Sequence, residues 1–175
     1  TGNDFVKIYG GEKNFSDLIK LINGKSHPVD LSVITGPSLE SPMYSINVIN
    51  IGFDAIVGAY GNLYKEKGKK DPYSKALLPA IFKGRFNKIK VTVDGEVITK
   101  KRMLLCSAAH GQYIGGKFRC APRSVNTDGL IDICLFHTMT IFGFLGILGA
   151  FTEGKHFEKK NYQKKIVYRQ VKHVL

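Results

Sequence analysis

Apolar and polar positions alternate strictly in the middle of the chain. Ile89, Val91 and Val93 are separated by polar side chains, and Asp94-Gly95 follows them as a turn dipeptide. A period of two residues places one side of a strand in the core, and an Asp-Gly pair is typical of a two-residue hairpin turn. The pattern therefore predicts an antiparallel hairpin that returns as one or two strands over 97–109.

Other segments are short and show either strand-like or helix-like spacing of apolar residues. Strands are predicted over 5–9, 29–35, 43–51, 118–120, 131–136 and 166–175. Helices are predicted over 15–22, 54–64, 72–86 and 141–151. The alternation of the last strand slips near Arg169, which predicts a β-bulge. The series predicts a mainly β fold, an antiparallel β-sandwich or barrel-like domain with several inserted helices, spanning residues 1–175 as a single domain.

The composition of the 175 residues is that of an ordinary globular protein. Hydrophobic residues make up 43% and charged residues 23%, and the mean hydropathy is −0.08. These values exclude disordered, fibrous and membrane-spanning classes. The longest apolar run, 141–151, is shorter than the ~20 residues that a membrane-spanning helix needs. Because the sequence also shows no secretion signal, we expect a cytoplasmic protein.

The chain contains three cysteines, Cys106, Cys120 and Cys134, at equal intervals. Their even spacing raises the alternative of a metal site. However, the sequence has no Cys-x-x-Cys pair and no histidine at zinc-ligand spacing beside them, and their surroundings are strand-like. We therefore expect reduced thiols that are mostly buried in the core.

Positive charge is concentrated in one part of the sequence. The formal net charge is +12, from 26 Lys and Arg against 14 Asp and Glu. The window from Lys65 to Arg102 holds 12 of the basic residues and four of the acidic ones. Such a window attracts an anionic partner, whether phospholipid headgroups, nucleic acid or nucleotide phosphates. The alternative is a well-solvated face without a partner.

Polar residues beside glycine are the main candidates for a functional site. The sequence has no Gly-x-Ser-x-Gly elbow, P-loop, Gly-x-Gly-x-x-Gly or His-Glu-x-x-His, which disfavours the common hydrolase, nucleotide-loop and zinc-protease designs. Glycine lets the backbone approach a ligand closely, and an adjacent carboxylate can hold a hard divalent cation. Any one such segment is more often a plain turn.

Five of these segments occur in an order that carries a family resemblance. They are Thr1-Gly2-Asn3-Asp4-Phe5, Asn50-Ile51-Gly52-Phe53-Asp54-Ala55, Ala109-His110-Gly111-Gln112-Tyr113-Ile114-Gly115-Gly116, Ala121-Pro122 and Asp128-Gly129-Leu130-Ile131-Asp132-Ile133. In this order the chain resembles the diacylglycerol kinase catalytic-domain superfamily, and it is most similar to the soluble bacterial lipid kinases. The resemblance extends over nearly the whole chain and implies a strand-rich lipid-binding domain.

The resemblance also implies roles for individual residues. Thr1 matches a threonine that contacts nucleotide, and Asp4 and Asp30 match carboxylates of a magnesium and water network near the phosphates. Asp54, at the start of a predicted helix, is interpreted instead as a charge that stabilises the helix dipole. The implied cofactors are ATP and Mg²⁺.

A second, structural magnesium site is implied on a loop between strands. There the carboxylate of Asp128 and the backbone carbonyls of Val125 and Leu130 match the family's ligands. One carboxylate and two carbonyls suit a hard cation that keeps several waters. Without the resemblance, Asp128-Gly129 would be interpreted as a turn.

The sequence departs from the family pattern in several places. It lacks the phosphate-binding Gly-Gly-Asp-Gly-Thr motif and the acidic Asp-Gly-Glu that supplies the general base after the magnesium loop. Asp94-Gly95-Glu96 has the right letters but precedes Asp128, so we interpret it as a hairpin turn. His110 stands where the family usually has asparagine, and Lys117 replaces a third glycine.

The resemblance implies part of an ATP-dependent kinase that phosphorylates the primary hydroxyl of diacylglycerol or a related lipid. This part would bind lipid, and without the N-terminal nucleotide-binding part and the extreme C-terminus it would show little activity. We expect a lipid substrate, an anionic membrane surface as a peripheral location, and possible self-association through strand edges. The alternatives are a non-catalytic basic module for nucleic acid, which sparse arginine and missing motifs disfavour, and an NAD kinase-like relative.

Overall fold

The structure is a computed structural model that describes residues 3–84 and 88–175. Its α-helices are α1 (Leu18–Asn23), α2 (Phe53–Glu66), α3 (Pro72–Gly84) and α4 (Ile141–Glu153). Its strands are β1 (Ser32–Ile34), β2 (Met43–Ser45), β3 (Val48–Gly52), β4 (Val91–Val93), β5 (Glu96–Thr99), β6 (Met103–Ala109), β7 (Ile131–His137) and β8 (Ile166–Val171). Short 3₁₀ helices cover Phe5–Tyr9, Glu12–Asn14, His156–Glu158 and Lys160–Tyr162.

The centre of the fold is a four-stranded antiparallel sheet in the order β3-β6-β7-β8. Cys106 in the middle of β6 pairs with Ile51 on one side and with Leu135 on the other. The pairs β1-β2 and β4-β5 are separate antiparallel sheets. The predicted fold class, antiparallel sheets with inserted helices, is therefore confirmed.

The two faces of the central sheet pack against different elements. On one face Leu105 and Phe136 pack with apolar residues of α2, α3 and α4. On the other face Cys106 and Leu135 pack with the valines of β4. Side chains alternate between the two faces of a strand, so one sheet contributes to two cores. We call them the helix-covered face and the hairpin-covered face.

The predicted hairpin is present as β4 and β5. Asp94 adopts a left-handed φ of 45° at the turn, and its carboxylate accepts hydrogen bonds from the backbone N–H groups of Lys172 and His173. Thr92 and Leu175 also exchange two backbone hydrogen bonds, of 2.6 and 2.7 Å. The turn therefore attaches the hairpin to residues that follow β8, and Asp94 has a structural role.

Residues 5–9 form a 3₁₀ helix, so the strand predicted there is wrong. Gly10 and Gly11 have φ values of 87° and 83°. In that conformation their N–H groups turn back to the carbonyls of Lys7 and Val6, at 3.3 and 2.9 Å. These two glycines end a helical turn by satisfying its last carbonyls.

Two further strand predictions need correction. Residues 118–120 form no strand, and Phe118 makes only an isolated bridge with Ile114. Arg169 pairs with Ile133 in the regular β7-β8 register, so the predicted bulge is absent there. A register irregularity occurs instead in β6, between Met103 and Leu105. The slipped pattern near Arg169 has another cause: β8 lies at the edge of the sheet, where polar residues are tolerated on exposed positions.

The helix predicted over 15–22 and the strand predicted over 43–51 differ in extent from the observed elements. The helix predicted over 15–22 begins only at Leu18, because the side chain of Asp17 accepts a hydrogen bond from the Lys20 N–H at 3.1 Å. The strand predicted over 43–51 is divided into β2 and β3. The helices predicted over 54–64 and 141–151 are present as α2 and α4. Residues 85–87, at the end of the helix predicted over 72–86, lie outside the described residues.

All three cysteines are buried and unpaired, as predicted. Burial raises the pKa of the Cys106 and Cys120 thiols to about 12. Cys134 lies 3.6 Å from Nε2 of His156, whose side chain is fully buried. Burial lowers the pKa of this histidine to about 4, so it is a neutral core residue. Within the described ranges no helix combines the length and apolar character that crossing a membrane requires.

Candidate functional site

A cavity of about 460 Å³ lies between α2, α3, α4 and the loop around residues 114–118. Most of its lining is aliphatic or aromatic: Phe53, Val57, Leu77, Ile81, Leu105, Ile114, Phe118, Phe144, Leu145, Leu148 and Phe151. Ligand sites for small molecules are typically concave and mostly apolar, with few polar groups that fix orientation. The cavity on the helix-covered face has this character.

The junction between β3 and α2 positions one wall of the cavity. Gly52 has a φ of 96°, and a Cβ at this position would lie 2.5 Å from the backbone oxygen of Leu104. Only glycine fits such a close approach of two backbones. The turn brings Phe53 inward, where its ring meets the ring of Phe144 edge to face with centroids 5.0 Å apart.

Other glycines let helices approach the cavity closely. A Cβ at Gly61 in α2 would lie 2.2 Å from the ring of Tyr73 in α3, so the missing side chain is what allows these helices to pack. In α4, Gly146 lies against the hydroxyl of Tyr162, whereas Gly149 meets nothing within 4 Å. Close packing therefore explains the glycine at position 146 of α4 but not the one at position 149.

Polar side chains in the cavity differ in whether they have partners. The Asn50 side-chain oxygen accepts a hydrogen bond from the Ser107 hydroxyl at 2.7 Å. The Tyr73 hydroxyl donates to the Asn62 side-chain oxygen at 2.9 Å. In contrast, Oδ2 of Asp54 is buried and has no hydrogen-bond partner. This carboxyl is a polar group of the cavity that a ligand could satisfy.

Burial raises the pKa of Asp54 from 3.8 to about 6. Removing a carboxylate from water disfavours its charged form. The predicted position of Asp54 at a helix start is confirmed, since it lies in the first turn of α2. However, its burial in an apolar cavity was not predicted, because the hydrophobic walls come from α3 and α4, which are distant in sequence. Perturbed carboxyls in clefts are candidates for functional groups.

Asp4 joins the first described turn of the chain to the loop that borders the cavity. Its carboxylate lies 2.7 Å from Nζ of Lys7 and accepts hydrogen bonds from the Gly116 N–H at 3.1 and 3.2 Å. The side chain is largely buried, since the residue is 7% exposed. These contacts fix the loop and leave Asp4 partnered. Thr1, the predicted nucleotide contact, lies outside the described residues.

Asp30 lies at a different place, against the loop of the predicted structural magnesium site. Its Oδ2 accepts a hydrogen bond from the Gly129 N–H at 2.8 Å, and its own N–H donates to the Asn126 carbonyl at 2.8 Å. Asp128, on the same loop, accepts from the Leu130 N–H at 3.0 Å. The structure therefore brings Asp30 to the loop that contains Asp128, and Asp4 to Gly116.

The loop over residues 125–130 contains oxygen atoms that could bind a cation. Asp128 and Val125 are both exposed, and one oxygen of Asp128 is engaged by the Leu130 N–H. The other carboxylate oxygen and the loop carbonyls are hard ligands that fit a cation such as Mg²⁺ that keeps several waters. Among the residues that the structure describes, no three His, Cys, Asp or Glu side chains converge as a metal cluster.

His110 lies where the family that this sequence resembles usually has asparagine. The residue is buried and takes part in a local hydrogen-bond network. Its Nε2 lies 2.8 Å from the Ser32 hydroxyl, and its N–H donates to the Asn47 carbonyl at 2.8 Å. The imidazole thus ties β1 to the segment after β6. This substitution keeps a hydrogen-bonding side chain at the position.

Comparisons with known proteins agree with this architecture. A family model described as the YegS C-terminal NAD kinase beta sandwich-like domain matches residues 47–172. The diacylglycerol kinase of Bacillus subtilis (strain 168) is 23% identical over 182 residues, which cover 99% of this chain and 55% of that protein. The chain therefore spans about half the length of this relative.

Solved structures show the same fold. The crystal structure of a diacylglycerol kinase from Bacillus anthracis str. Sterne superposes with a TM-score of 0.56 at 20% identity, covering 98% of this chain and 51% of that one. A second structure from the same organism gives a TM-score of 0.59 at 22% identity, covering 98% of this chain and 53% of that one. At these identities the likeness concerns the fold.

Proposed function

The chain belongs to the family of the YegS C-terminal NAD kinase beta sandwich-like domain, and from this premise we propose that it is the lipid-binding part of an ATP-dependent lipid kinase. The resemblance to the diacylglycerol kinase superfamily, inferred from the sequence, is confirmed by this match. The proposed substrate is diacylglycerol or a related lipid, phosphorylated on its primary hydroxyl.

The apolar cavity is the observation that carries the proposal. A lipid kinase must hold acyl chains out of water, and burying a methylene group is favourable by about 0.8 kcal/mol. The walls formed by α2, α3 and α4 supply such a surface around about 460 Å³. An enzyme that phosphorylates a soluble dinucleotide would need a polar cleft instead, so the cavity favours a lipid over the NAD kinase-like alternative.

Asp54 supplies the polar contact in this proposal. Its unpartnered carboxyl accepts a hydrogen bond from a lipid hydroxyl and so fixes the depth of the polar end of the lipid. A hydrogen bond to a charged group contributes about 1.5 to 3 kcal/mol. The same bond compensates for the desolvation that raises the pKa of Asp54.

Membrane access in this proposal uses the basic connection between α2 and α3. Lys67, Lys69 and Lys70 lie directly before α3, whose Tyr73 and Ser74 line the cavity. A basic residue near an anionic membrane surface contributes about 1 kcal/mol. Lysines at the cavity border would therefore dock the protein on the membrane from which it takes its lipid.

Mg²⁺, when bound, neutralises charge on the phosphates and stiffens the scaffold. Asp128 with the carbonyls of Val125 and Leu130 would hold the structural ion, and Asp30 would orient their loop through its bond to Gly129. The assignment of Asp4 and Asp30 to a magnesium and water network near the phosphates stays a prediction. Phosphoryl transfer needs ATP and a general base for which the resemblance identifies no residue in this sequence, so we expect no phosphorylation of diacylglycerol by this chain alone.

Lipid binding tests the proposal directly. We expect the purified chain to bind a fluorescent diacylglycerol, and Gly58→Leu to weaken this binding about tenfold by filling the cavity, since nothing lies within 4 Å of its Cβ position. Gly149→Leu is the matched control, because Gly149 also has free space but does not line the cavity. Equal binding by both variants and the wild type would show that lipid does not enter here.

The role of Asp54 needs a separate comparison. Asp54→Asn should weaken binding of diacylglycerol, while an analogue whose hydroxyl is replaced by hydrogen should bind the wild type and the variant equally. Glu40→Gln, at an exposed position, controls for the loss of one acidic charge. If the variant loses affinity for both lipids alike, Asp54 acts on the shape of the cavity and not on the hydroxyl.

A further inference from the structure

A second pocket, chemically opposite to the first, lies at one end of the hairpin-covered face. It encloses about 550 Å³ and is lined by Lys88, Lys100, Lys101, Arg102, His137, Thr138, Lys164 and Lys165. Six of these eight residues are lysine or arginine, and its lining, as far as the chain is described, contains no Asp or Glu. We call it the basic pocket.

Backbone hydrogen bonds hold the segments of the basic pocket together. Arg102 bridges to Lys88 on one side, and its carbonyl accepts a hydrogen bond from the Thr138 N–H at 3.1 Å. The N–H of His137 donates to the Lys165 carbonyl at 2.7 Å. Segments that are distant in sequence are thus fixed side by side, and their cations converge for a structural reason.

The basic pocket is separate from the apolar cavity. His137 follows Leu135 by two residues in β7, so strand alternation places it on the hairpin-covered face. Leu105, which lines the apolar cavity, packs on the helix-covered face. A ligand of one pocket therefore does not occupy the other.

The ammonium charges of the five lysines in the basic pocket are not compensated by an ion pair within the described part of the chain. The ion pairs found there involve Lys7, Lys20 and Lys155, none of which lines the pocket. Nδ1 of His137 is buried and has no hydrogen-bond partner. Burial, followed by the charges of Lys101 and Lys165, lowers the pKa of His137. Like charges that line one pocket repel one another, and a polyvalent anion would relieve the repulsion.

We propose that the basic pocket binds a phosphate-bearing anion, either a free pyrophosphate-type ion or the phosphate of an anionic lipid headgroup. Several ammonium groups that line one pocket can be satisfied together by a ligand with several charged oxygens. Among the described residues, the lining contains no aromatic side chain on which a nucleobase could stack. A phosphate group is therefore a better match than a nucleic acid strand.

Binding of pyrophosphate to the 175-residue chain tests this site. We expect isothermal titration at low salt to detect pyrophosphate binding, with no comparable heat from chloride at equal ionic strength. The double variant Lys101→Gln/Lys165→Gln should weaken binding at least about tenfold. Lys13→Gln/Lys25→Gln removes the same charge at exposed positions outside the pocket and should leave the affinity within about twofold. Equal losses in both variants would overturn the proposal, because they would reflect net charge alone.

A spectroscopic readout in the unaltered protein makes the test independent of folding of the variants. Bound phosphate should raise the pKa of His137 in an NMR titration, since an anion favours the imidazolium form. An unmoved His137 pKa at saturating pyrophosphate would place the anion elsewhere and contradict the proposal.

Vesicles distinguish the two sources of phosphate. Vesicles of phosphatidylcholine with phosphatidic acid should bind the wild type better than the lysine double variant if the ligand is a headgroup. Binding of pyrophosphate without such a vesicle difference assigns the site to a soluble anion. If neither probe binds, the inference is wrong, whereas the lipid-cavity proposal is unaffected because its test uses a different pocket and ligand.

Discussion

The two pockets lie on opposite faces of the central sheet and differ in the exposure of their charged side chains to solvent. The apolar cavity contains one carboxyl, Asp54, whose Oδ2 is removed from water and left without a partner. The basic pocket contains six cations on exposed side chains. Desolvation therefore dominates in the first pocket, whereas mutual repulsion screened by solvent dominates in the second. A single buried charge can therefore matter more for stability than several exposed ones.

The largest effect is expected where the backbone builds the apolar cavity. Gly52→Ala would force an alanine to a φ of 96° with its Cβ 2.5 Å from the Leu104 carbonyl oxygen. Positive φ and a backbone clash together should lower the free energy of unfolding by about 3 to 4 kcal/mol, measured by urea denaturation. This substitution should disrupt packing on the helix-covered face and leave the basic pocket assembled.

Gly149→Ala is the control for Gly52→Ala. Gly149 is exposed in α4, and nothing lies within 4 Å of its Cβ position. Alanine should raise the free energy of unfolding there by about 0.5 to 1 kcal/mol through helix propensity. Equal stabilities for the two variants would show that the β3-α2 junction tolerates a side chain.

The second effect is a pH dependence that originates in Asp54. Its folded-state pKa of about 6 lies above the ordinary 3.8, so between these values the folded protein retains a proton that the unfolded chain has lost. Rising pH therefore destabilises the wild type across this interval, and the penalty is complete above about pH 7. Asp54→Asn should raise the free energy of unfolding above that pH by about 1 to 3 kcal/mol.

The measurement is the difference in unfolding free energy between Asp54→Asn and the wild type from about pH 4 to 8. Taking the difference removes the contributions of other groups, including His156, whose pKa of about 4 acts in the opposite direction. A difference that stays constant across this range would show that Asp54 is not desolvated. The same variant should bind diacylglycerol more weakly, so stability and lipid affinity should change in opposite directions.

The smallest effect is expected in the basic pocket. Lys101→Gln should raise the pKa of His137, because the Lys101 charge lowers it, although burial is the larger cause. Unfolding free energy should change by less than about 0.5 kcal/mol and in the stabilising direction, since one repulsive charge is removed. NMR titration of His137 checks the pKa, and Lys13→Gln, outside the pocket, should leave it unchanged. A large loss of stability in Lys101→Gln would remove the contrast between the two pockets.

Local patterns in the sequence predicted the hairpin and the central strands correctly. The alternation at Ile89, Val91 and Val93 with Asp94-Gly95 is local information, and so is the apolar stretch over residues 133–136 of β7. Prediction failed at 5–9, where two left-handed glycines satisfied the carbonyls of a helical turn. It failed also at 118–120, where the chain is held by contacts with Ile114 and not by a neighbouring strand.

The candidate site was harder to predict than the strands, because contacts between residues distant in sequence form it. The sequence marked Asp54 as polar beside glycine but could not show its burial, because Leu105 and Phe144 reach it only after the sheet and α4 have packed. The basic window was recognised as one feature, yet Lys67 and Lys70 lie before α3 whereas Lys88 and Lys101 line another pocket. The number of basic residues can be read from the sequence, but the fold determines on which surface each of them lies.

The attachment of the β4-β5 hairpin has a consequence for the order of folding. Thr92 is hydrogen-bonded to Leu175, and Val93 bridges to Val174. Contacts between residues so far apart in sequence close slowly, because the entropy of a long loop must be lost before the contact forms. In contrast, α2 and α3 are joined by a short connection and can pair early. The hairpin-covered core should therefore be the last part of the molecule to acquire protection from hydrogen exchange during refolding.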